Sequence, residues 1–457
     1  MPSFYLFLFF FWLAAVLKSV LFWVYLWQIK EYRLDRFGAE YGDSQKLIRF
    51  WIFSGGRKFW RPKWTLKAIL IFWTSLGITT LFVSLPVVSR EVLVAIYLAL
   101  IYLFLPLLVS LVVLFWNIPF FFLKRGIAAQ ARRKIKKLKK LLVIGIAGSY
   151  GKSSTKEFLA QILARKFKVL KTPENVNSEI GVAQFVLDNL VSDTEILIAE
   201  MGAYRKGEIK RICRMVKPKI GILTGINEQH LALFGSLENI KKAKFELIES
   251  LPKDGLAVFN GEDPRVLDLA KSWPGKGLIY RHNVVAPRRN FPRHYEINLN
   301  AAIDVAKYLG MTEKEIEAAI KDIKPDGKMI KTFTGKNGVL VIDDTYSVNP
   351  DGVLAALDYL AEQPRKTKIV VMPCIIELGR AAHDVHARIG KKIAEVCDLA
   401  IITTPDYFED IKSGTGGKAI LENNPKKIAG LLGAKLSSET VILLEGRIQK
   451  EIIDFFS

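Results

Sequence analysis

The sequence predicts about three membrane-spanning helices followed by two α/β domains. Three observations carry that expectation. Three long apolar stretches crowd the first 123 residues, strand and helix patterns alternate from Leu141 onward, and a glycine-rich turn, AGSYGKSST (Ala147–Thr155), joins a strand to a helix. A length of 457 residues has room for about three domains. Half of the residues are apolar, which excludes a disordered chain. Cys213, Cys374 and Cys397 lie far apart; they exclude a disulfide scaffold or cysteine-cluster zinc site and fit a reducing compartment.

The apolar stretches come first. Ser3–Gln28 carries a single charge, Lys18, while Ala68–Val88 and Val92–Leu123 carry none. About 20 apolar residues cross a bilayer core as a helix, so spans at about 3–28, 68–88 and 92–123 make residues 1–123 a membrane anchor. The first stretch lacks the basic start and small-residue cleavage site of a signal peptide. The alternative, buried helices of a soluble domain, would need three such runs in 123 residues.

Charge sets the topology. The net +21 is concentrated in residues 1–140, whose 21 basic and five acidic residues give +16. Ile29–Lys67 holds ten Lys/Arg, Lys124–Lys140 holds nine and no acid, and the Ser89–Glu91 turn holds one. The positive-inside rule places both basic segments, and everything after Lys124, in the cytoplasm, with the N-terminus outside: a multi-pass protein of the cell membrane. Residues 124–140 read as a basic juxtamembrane linker lying on anionic headgroups. No aromatic residue interleaves this run, so nucleic acid is not an expected partner. Lys18 faces a helix interface or a lipid phosphate, or sits near a membrane edge.

From Leu141 the pattern is that of a parallel sheet with helices. LLVIGIAGS, VLKTP, ILIAEMGA, IGILTGI and LAVFN read as strands, with helices over Lys156–Arg165, Ile180–Leu190 and ENIKKAKFELIESL. A second series starts at Val339: VLVIDDTY, KIVVMPC, LAIITT and TVILLEG, with helices over Gly352–Gln363, Asp384–Val396 and near Pro425–Leu432. This gives a nucleotide-binding central domain at 141–323 and a Rossmann-like C-terminal domain at 324–457, hinged near Lys324–Lys328. Functional residues of such sheets gather at the carboxyl ends of the strands.

In AGSYGKSST, glycines let backbone N–H groups turn onto a phosphate at a helix N-terminus, Lys152 can reach the β/γ-phosphates and Ser153 can hold Mg²⁺. The motif is shorter than G-x-x-x-x-G-K, because Ile146 stands five residues before Gly151. In order along the chain, AGSYGKSSTKE, TPENVNSEIGV, AEMGA, HLALFGSLENIKKAKFE and FNGEDP resemble the central domain of the Mur ligases, and IDDTYSVNP and ELGRAAHDVHARIG resemble the C-terminal domain. The resemblance covers about Leu141–Ser457.

That resemblance implies an ATP- and Mg²⁺-dependent amide ligase. ATP phosphorylates a carboxylate acceptor, and the amine of an amino acid or dipeptide attacks the acyl phosphate. It makes Gly148, Ser149, Tyr150, Gly151, Lys152, Ser153 and Ser154 the ATP loop, and Asp343, Asp344, Tyr346, Asn349 and Lys328 the nucleotide contacts of the C-terminal domain. The metal ligands would be Ser153, Glu200, His230 and Lys244, the last as a carbamate; Lys152, Lys244 and His230 would be the catalytic residues. Asn175, Asn177, Glu377 and His386 would face the substrates. Taken singly, Glu200 reads as a strand-end cap or ion-pair partner, Lys244 as a solvated helix lysine and His386 as a surface histidine; their order and spacing argue otherwise.

The departures bear on specificity. The family's soluble UDP-binding N-terminal domain is replaced by the membrane spans, which raises a membrane-held acceptor such as a lipid-linked saccharide-peptide. Arg265–Arg293 is shorter than in the family, so part of the central sheet is expected to be missing. Thr224-Gly225-Ile226-Asn227 lacks an asparagine expected near adenine, Gly327-Lys328 replaces glycine-arginine, and Pro373-Cys374 replaces glycine-aspartate. The expected function is a membrane-anchored ligase of peptidoglycan or other cell-envelope precursors. The rivals are a poly-γ-glutamate-type synthetase, which would extend a chain repeatedly, a non-catalytic nucleotide-binding scaffold, and a transporter ATPase, for which no Walker-B partner is evident.

Overall fold

Continuous apolar runs and strand–helix alternation produce two separate units in the computed structural model, Met1–Gly126 and Ile127–Ser457. The structure describes residues 2–41, 59–84, 91–282, 292–324, 330–346 and 348–456. The end of the second expected span and most of the Lys324–Lys328 hinge, Lys328 included, lie outside the described residues.

The first unit contains helices Pro2–Ile29, Leu34–Tyr41 and Leu66–Ser84 and the first part of Glu91–Lys137. Three of these are long and apolar enough to cross a membrane. Val16, Val20, Trp23, Trp27, Ile71, Leu105 and Val109 form their common core. Polar atoms between helices pair with one another: Trp27 Nε1 donates to Ser110 Oγ (3.0 Å) and Trp116 Nε1 to Thr74 Oγ1 (3.1 Å). That is the usual way to satisfy a donor where no water is at hand. Phe104, Phe115, Phe122 and Trp73 stay exposed, as lipid-facing side chains would. Lys18 is half-buried beside the buried Ser19.

The third apolar helix does not stop at Leu123. It runs unbroken to Lys137, through most of the segment expected to be a linker on lipid headgroups. Within the second unit, Ala131 and Ile135 are buried in the core of the following α/β domain, and Lys134 Nζ donates to the Leu187 carbonyl (2.6 Å). AAQARRKIKK has apolar residues spaced to form one stripe, and that stripe finds a protein surface.

The central domain is a six-stranded parallel sheet in the order β2-β3-β1-β4-β5-β6: β1 Leu142–Ala147, β2 Val169–Lys171, β3 Ile196–Met201, β4 Ile220–Leu223, β5 Leu256–Asn260 and β6 Lys276–Tyr280. The strands β1, β3, β4 and β5 are buried almost throughout, because helices cover both faces; hence their unbroken apolar sequences. The chain leaves β1 toward β2 on one side and leaves β4 toward β5 on the other. The crevice between the ends of β1 and β4 is therefore a topological switch point. Arg265–Arg293 contributes the helix Pro264–Lys271 and the edge strand β6. The partly exposed β6, with KGLIY, had no clear apolar signature.

The C-terminal sheet runs β11-β10-β9-β12-β8-β7: β7 Lys331–Thr334, β8 Leu340–Asp344, β9 Thr367–Met372, β10 Leu399–Ile402, β11 Ala419–Leu421 and β12 Thr440–Glu445. All pairings are parallel except β7 with β8. Polar residues start the helices: Ser178 accepts from Gly181 N, Ser236 from Asn239 N and Asn349 from Gly352 N. Each such cap contributes about 1 kcal/mol.

Candidate active site

The helix after the phosphate loop begins at Lys152, four residues earlier than its apolar pattern suggests, and runs to Leu163. Gly151 caps it with φ 77°, a conformation costly for a residue with a Cβ. Two elements clamp the loop over the β1/β4 crevice. Ser149 N donates to the Gly225 carbonyl (2.6 Å), and Thr224 Oγ1 donates to the Tyr150 carbonyl (2.5 Å). Tyr150 OH donates to Asp263 Oδ2 (2.9 Å), which also accepts from Ile226 N. Burial, then the Asp263 charge, pushes the Tyr150 phenol far up, so it stays a neutral donor. Its ring lies over Gly225, where a Cβ would come within 2.2 Å of Cζ. The glycine in place of the expected asparagine therefore has a local cause. Ser154 Oγ accepts from Asn298 Nδ2 (2.9 Å), and Asn298 packs on Gly151.

Glu200, at the end of β3, collects the next group. Its Oε2 accepts from Ser153 Oγ (3.0 Å) and Lys156 Nζ (3.2 Å), and its Oε1 from Asn177 Nδ2 (3.1 Å). Burial alone would raise its pKa, but Lys156, Lys152 and the Asn177 hydrogen bond outweigh that and hold it below the ordinary glutamate value. Lys152 Nζ donates to the carbonyls of Gly148 (2.7 Å) and Ser149 (3.1 Å), and burial lowers its pKa against the opposing pull of Glu200. Lys156 is fully buried and was not singled out from the sequence. Its signal was the i,i+4 spacing from Lys152 on one helix face. Asn298, 144 residues from its partner, left no local signal.

A second group lies beyond the loop. Lys244 is buried; its Nζ lies 3.4 Å from the Ala203 carbonyl, and burial, helped by the Lys152 charge, lowers its pKa to about 7. His230 packs edge-on against Tyr204 at 4.7 Å, and its Nδ1–H donates to Glu377 Oε2 at 2.5 Å. A carboxylate can only accept here, so neutral His230 keeps its lone pair on Nε2. Burial lowers the His230 pKa while Glu377 pulls it upward. His230 (φ 63°) and Glu377 (φ 64°) are both left-handed non-glycine residues, a local cost that surrounding contacts must offset.

The C-terminal domain meets the central one through further polar pairs. Tyr346 OH donates to Asn175 Oδ1 (3.0 Å), and Asn227 Nδ2 to Asn349 Oδ1 (2.9 Å). Asp343 accepts from the backbone and hydroxyl of Thr345, shaping its own turn. Asp344 lies beside Glu445 across the β8–β12 ladder, and burial pushes both carboxyl groups up.

Two residues expected at the substrate face have partners within the protein. Glu377 spends its carboxylate on His230. His386 does not face outward: it is fully buried, its Nδ1–H donates to the Ala382 carbonyl (2.7 Å) and its Nε2 accepts from Ile375 N (2.9 Å). Both ring nitrogens are used and the ring stacks on Tyr407, so His386 supports the Ile375–Glu377 segment rather than meeting an amine.

Among the described residues no three His, Cys, Asp or Glu side chains form a metal cluster. Ser153 Oγ and Glu200 are instead oxygen donors beside a phosphate loop. Mg²⁺ is commonly held in that way, by one or two carboxylates together with substrate phosphates.

Comparison with known proteins follows the same two domains. Residues 146–320 match the Mur ligase middle domain, and residues 330–448 match the Mur ligase glutamate ligase domain. The chain is 31% identical over 295 residues to the UDP-N-acetylmuramoyl-tripeptide–D-alanyl-D-alanine ligase of Synechocystis sp., covering 60% of this chain and 64% of the relative. It is 32% identical over 300 residues to the Mycobacterium tuberculosis enzyme of the same name, covering 58% and 59%. The chain thus spans about six tenths of the length of these curated relatives. Among solved structures, MurF ligase from Thermotoga maritima in complex with ADP aligns with TM-score 0.66 and 26% identity, covering 73% of this chain and 83% of that one. MurF from Acinetobacter baumannii aligns with TM-score 0.65 and 23% identity, covering 73% and 79%, a likeness of fold.

Proposed function

Since the chain belongs to the Mur ligase family through its middle and C-terminal domains, we propose that it is a membrane-anchored, ATP- and Mg²⁺-dependent amide ligase of cell-envelope precursor synthesis. It joins the amine of an amino acid or dipeptide, D-alanyl-D-alanine being the first candidate from the relatives' names, to a carboxylate acceptor. The observation that carries this reading is the Glu200 group: a buried carboxylate kept ionised by Lys156 and Lys152, bonded to the Ser153 hydroxyl at the mouth of a phosphate loop.

In this reading the acceptor carboxylate attacks the γ-phosphorus of ATP and ADP leaves. The amine nitrogen then attacks the acyl carbon, expels phosphate and loses a proton. When bound, Mg²⁺ would supply neutralisation of phosphate charge. Ser153 and Glu200 would hold one ion, His230 would assist a second, and Lys244, as a carbamate, would add a negatively charged metal ligand. Lys152 screens the β/γ-phosphates. A Lys244 pKa near 7 leaves a large share of neutral amine, the form that adds to CO₂. Asn175 and Asn177 border the acceptor, while Asp343, Asp344, Tyr346 and Asn349 close on the nucleotide side. Closure excludes water from the acyl phosphate, whose hydrolysis would waste ATP. The three apolar helices favour an acceptor held at the cytoplasmic membrane face, such as a lipid-linked saccharide-peptide.

The test is amine-dependent phosphate release by the full-length protein in detergent, with ATP, Mg²⁺ and candidate acceptors. Wild type releases phosphate only when amine is present, and Lys152→Ala abolishes release. Equal release by Lys152→Ala would overturn the ligase reading.

A further inference from the structure

Lys67 lies in the first turn of the apolar helix Leu66–Ser84 and is only 9% exposed. Its ammonium donates to Asn117 Oδ1 at 2.5 Å and lies 4.4 Å from the Tyr32 ring centroid and 5.2 Å from that of Phe120. Asn117 is itself held by a hydrogen bond to the Tyr32 carbonyl (3.0 Å). Among the described residues no carboxylate pairs with Lys67; the acids nearby in sequence, Asp35 and Glu31, pair with Arg33 and Arg36. The charged group acting on it is another cation, Lys124. One neutral amide oxygen and two ring faces are a thin environment for a buried ammonium beside a second positive charge. A helix N-terminus adds further positive potential.

Position supplies the missing anion. Lys67 immediately precedes the apolar run that starts at Ala68, and Lys124 immediately follows the one that ends at Leu123. Lys124 therefore sits at the edge of the hydrocarbon layer, and the Lys67 ammonium, bonded to Asn117 less than two helical turns inside that edge, lies just beneath the lipid phosphates. The stacked Tyr25–Trp60 pair (5.2 Å) and Trp64 belong to the same edge, as interfacial aromatics do.

We propose that Lys67, assisted by Lys124, binds a phosphate group of a membrane lipid at this end of the helical unit. The proposal rests on the membrane-anchored reading above. The phosphate belongs either to a bulk anionic phospholipid or to a polyprenyl diphosphate of the kind that would carry a lipid-linked acceptor.

The experiment titrates detergent-purified full-length protein with phosphatidylglycerol, polyprenyl diphosphate or phosphate-free diacylglycerol, and counts bound lipid by native mass spectrometry. Both phosphate lipids should bind and diacylglycerol should not, and tighter binding of one identifies the source. Lys67→Met should weaken binding about fivefold, the value of roughly 1 kcal/mol for one lysine at a lipid surface. Lys67→Arg should retain it, and Lys366→Met, in the C-terminal domain, should bind as wild type. Equal binding by wild type and Lys67→Met, or binding of diacylglycerol as tight as that of the phosphate lipids, overturns the proposal. If Lys67→Met does not fold, Lys124→Met replaces it: weaker phosphate-lipid binding supports the proposal and unchanged binding overturns it. Carbonate extraction of membranes separates the two readings. Release of the protein into the soluble fraction overturns both, whereas retention with unchanged Lys67→Met binding overturns this one alone.

Discussion

Glu377→Gln keeps the shape of the side chain that meets His230 and removes its charge. The contact spans 2.5 Å between side chains that are only 24% and 17% exposed, and it joins the central domain to the C-terminal one. A hydrogen bond to a charged group in such a setting contributes about 2 kcal/mol, a neutral one about 1 kcal/mol. Glutamine can still accept from Nδ1–H, so the substitution should cost about 1 kcal/mol, or about fivefold in the joined arrangement and in kcat. Glu377→Ala, which removes the acceptor, should cost about 2 kcal/mol, or about 30-fold. The pH profile gives an independent readout. Burial lowers the His230 pKa and Glu377 opposes it. Without the negative charge the pKa falls further, His230 stays neutral to lower pH, and the acidic limb of the rate profile moves down. Glu377→Gly should relieve the backbone at φ 64° without restoring the rate, which separates strain from the carboxylate's role. The assay is amine-dependent phosphate release across pH. Unchanged turnover in Glu377→Ala, or an acidic limb that moves up in Glu377→Gln, would refute the reasoning.

Two further outcomes follow from the central domain. With Lys244 at a pKa near 7, carbamate formation should fail as pH drops below that value, because the ammonium form cannot add CO₂. Stripping bicarbonate from the buffer should then lower phosphate release, adding it back should restore it, and Lys244→Met should respond to neither. Gly225→Asn should destabilise the phosphate loop by about 1–3 kcal/mol through its clash with the Tyr150 ring. Tyr150→Ser should recover much of that loss in the double variant, measured by thermal unfolding with and without nucleotide.

Much of the architecture was legible locally. The strands β1, β3, β4 and β5 are buried on both faces, so each writes an apolar run that needs no context to read. The edge strands β6 and β7 are partly exposed and mixed in composition, and they left no such trace. Lys152 and Ser153 were legible from the phosphate loop itself, and Glu200 only through the ordered set of motifs that resembles the Mur ligases. Their neighbour Lys156 was passed over, since its i,i+4 spacing from Lys152 reports the helix face it shares but not that its ammonium is buried on a carboxylate.

What the sequence by itself determined is what short-range chemistry can encode: apolar length for the three candidate spans, charge asymmetry around them, strand and helix periods, and a glycine turn ahead of a helix. The tertiary structure alone decided which side chains spend their polar atoms on one another. It paired Glu377 with His230, 147 residues away, buried His386 beneath that segment, and set Ala131 and Ile135 in the core of the central domain. Partnership between distant residues depends on how the two sheets and their helices pack, and no window of sequence contains both partners.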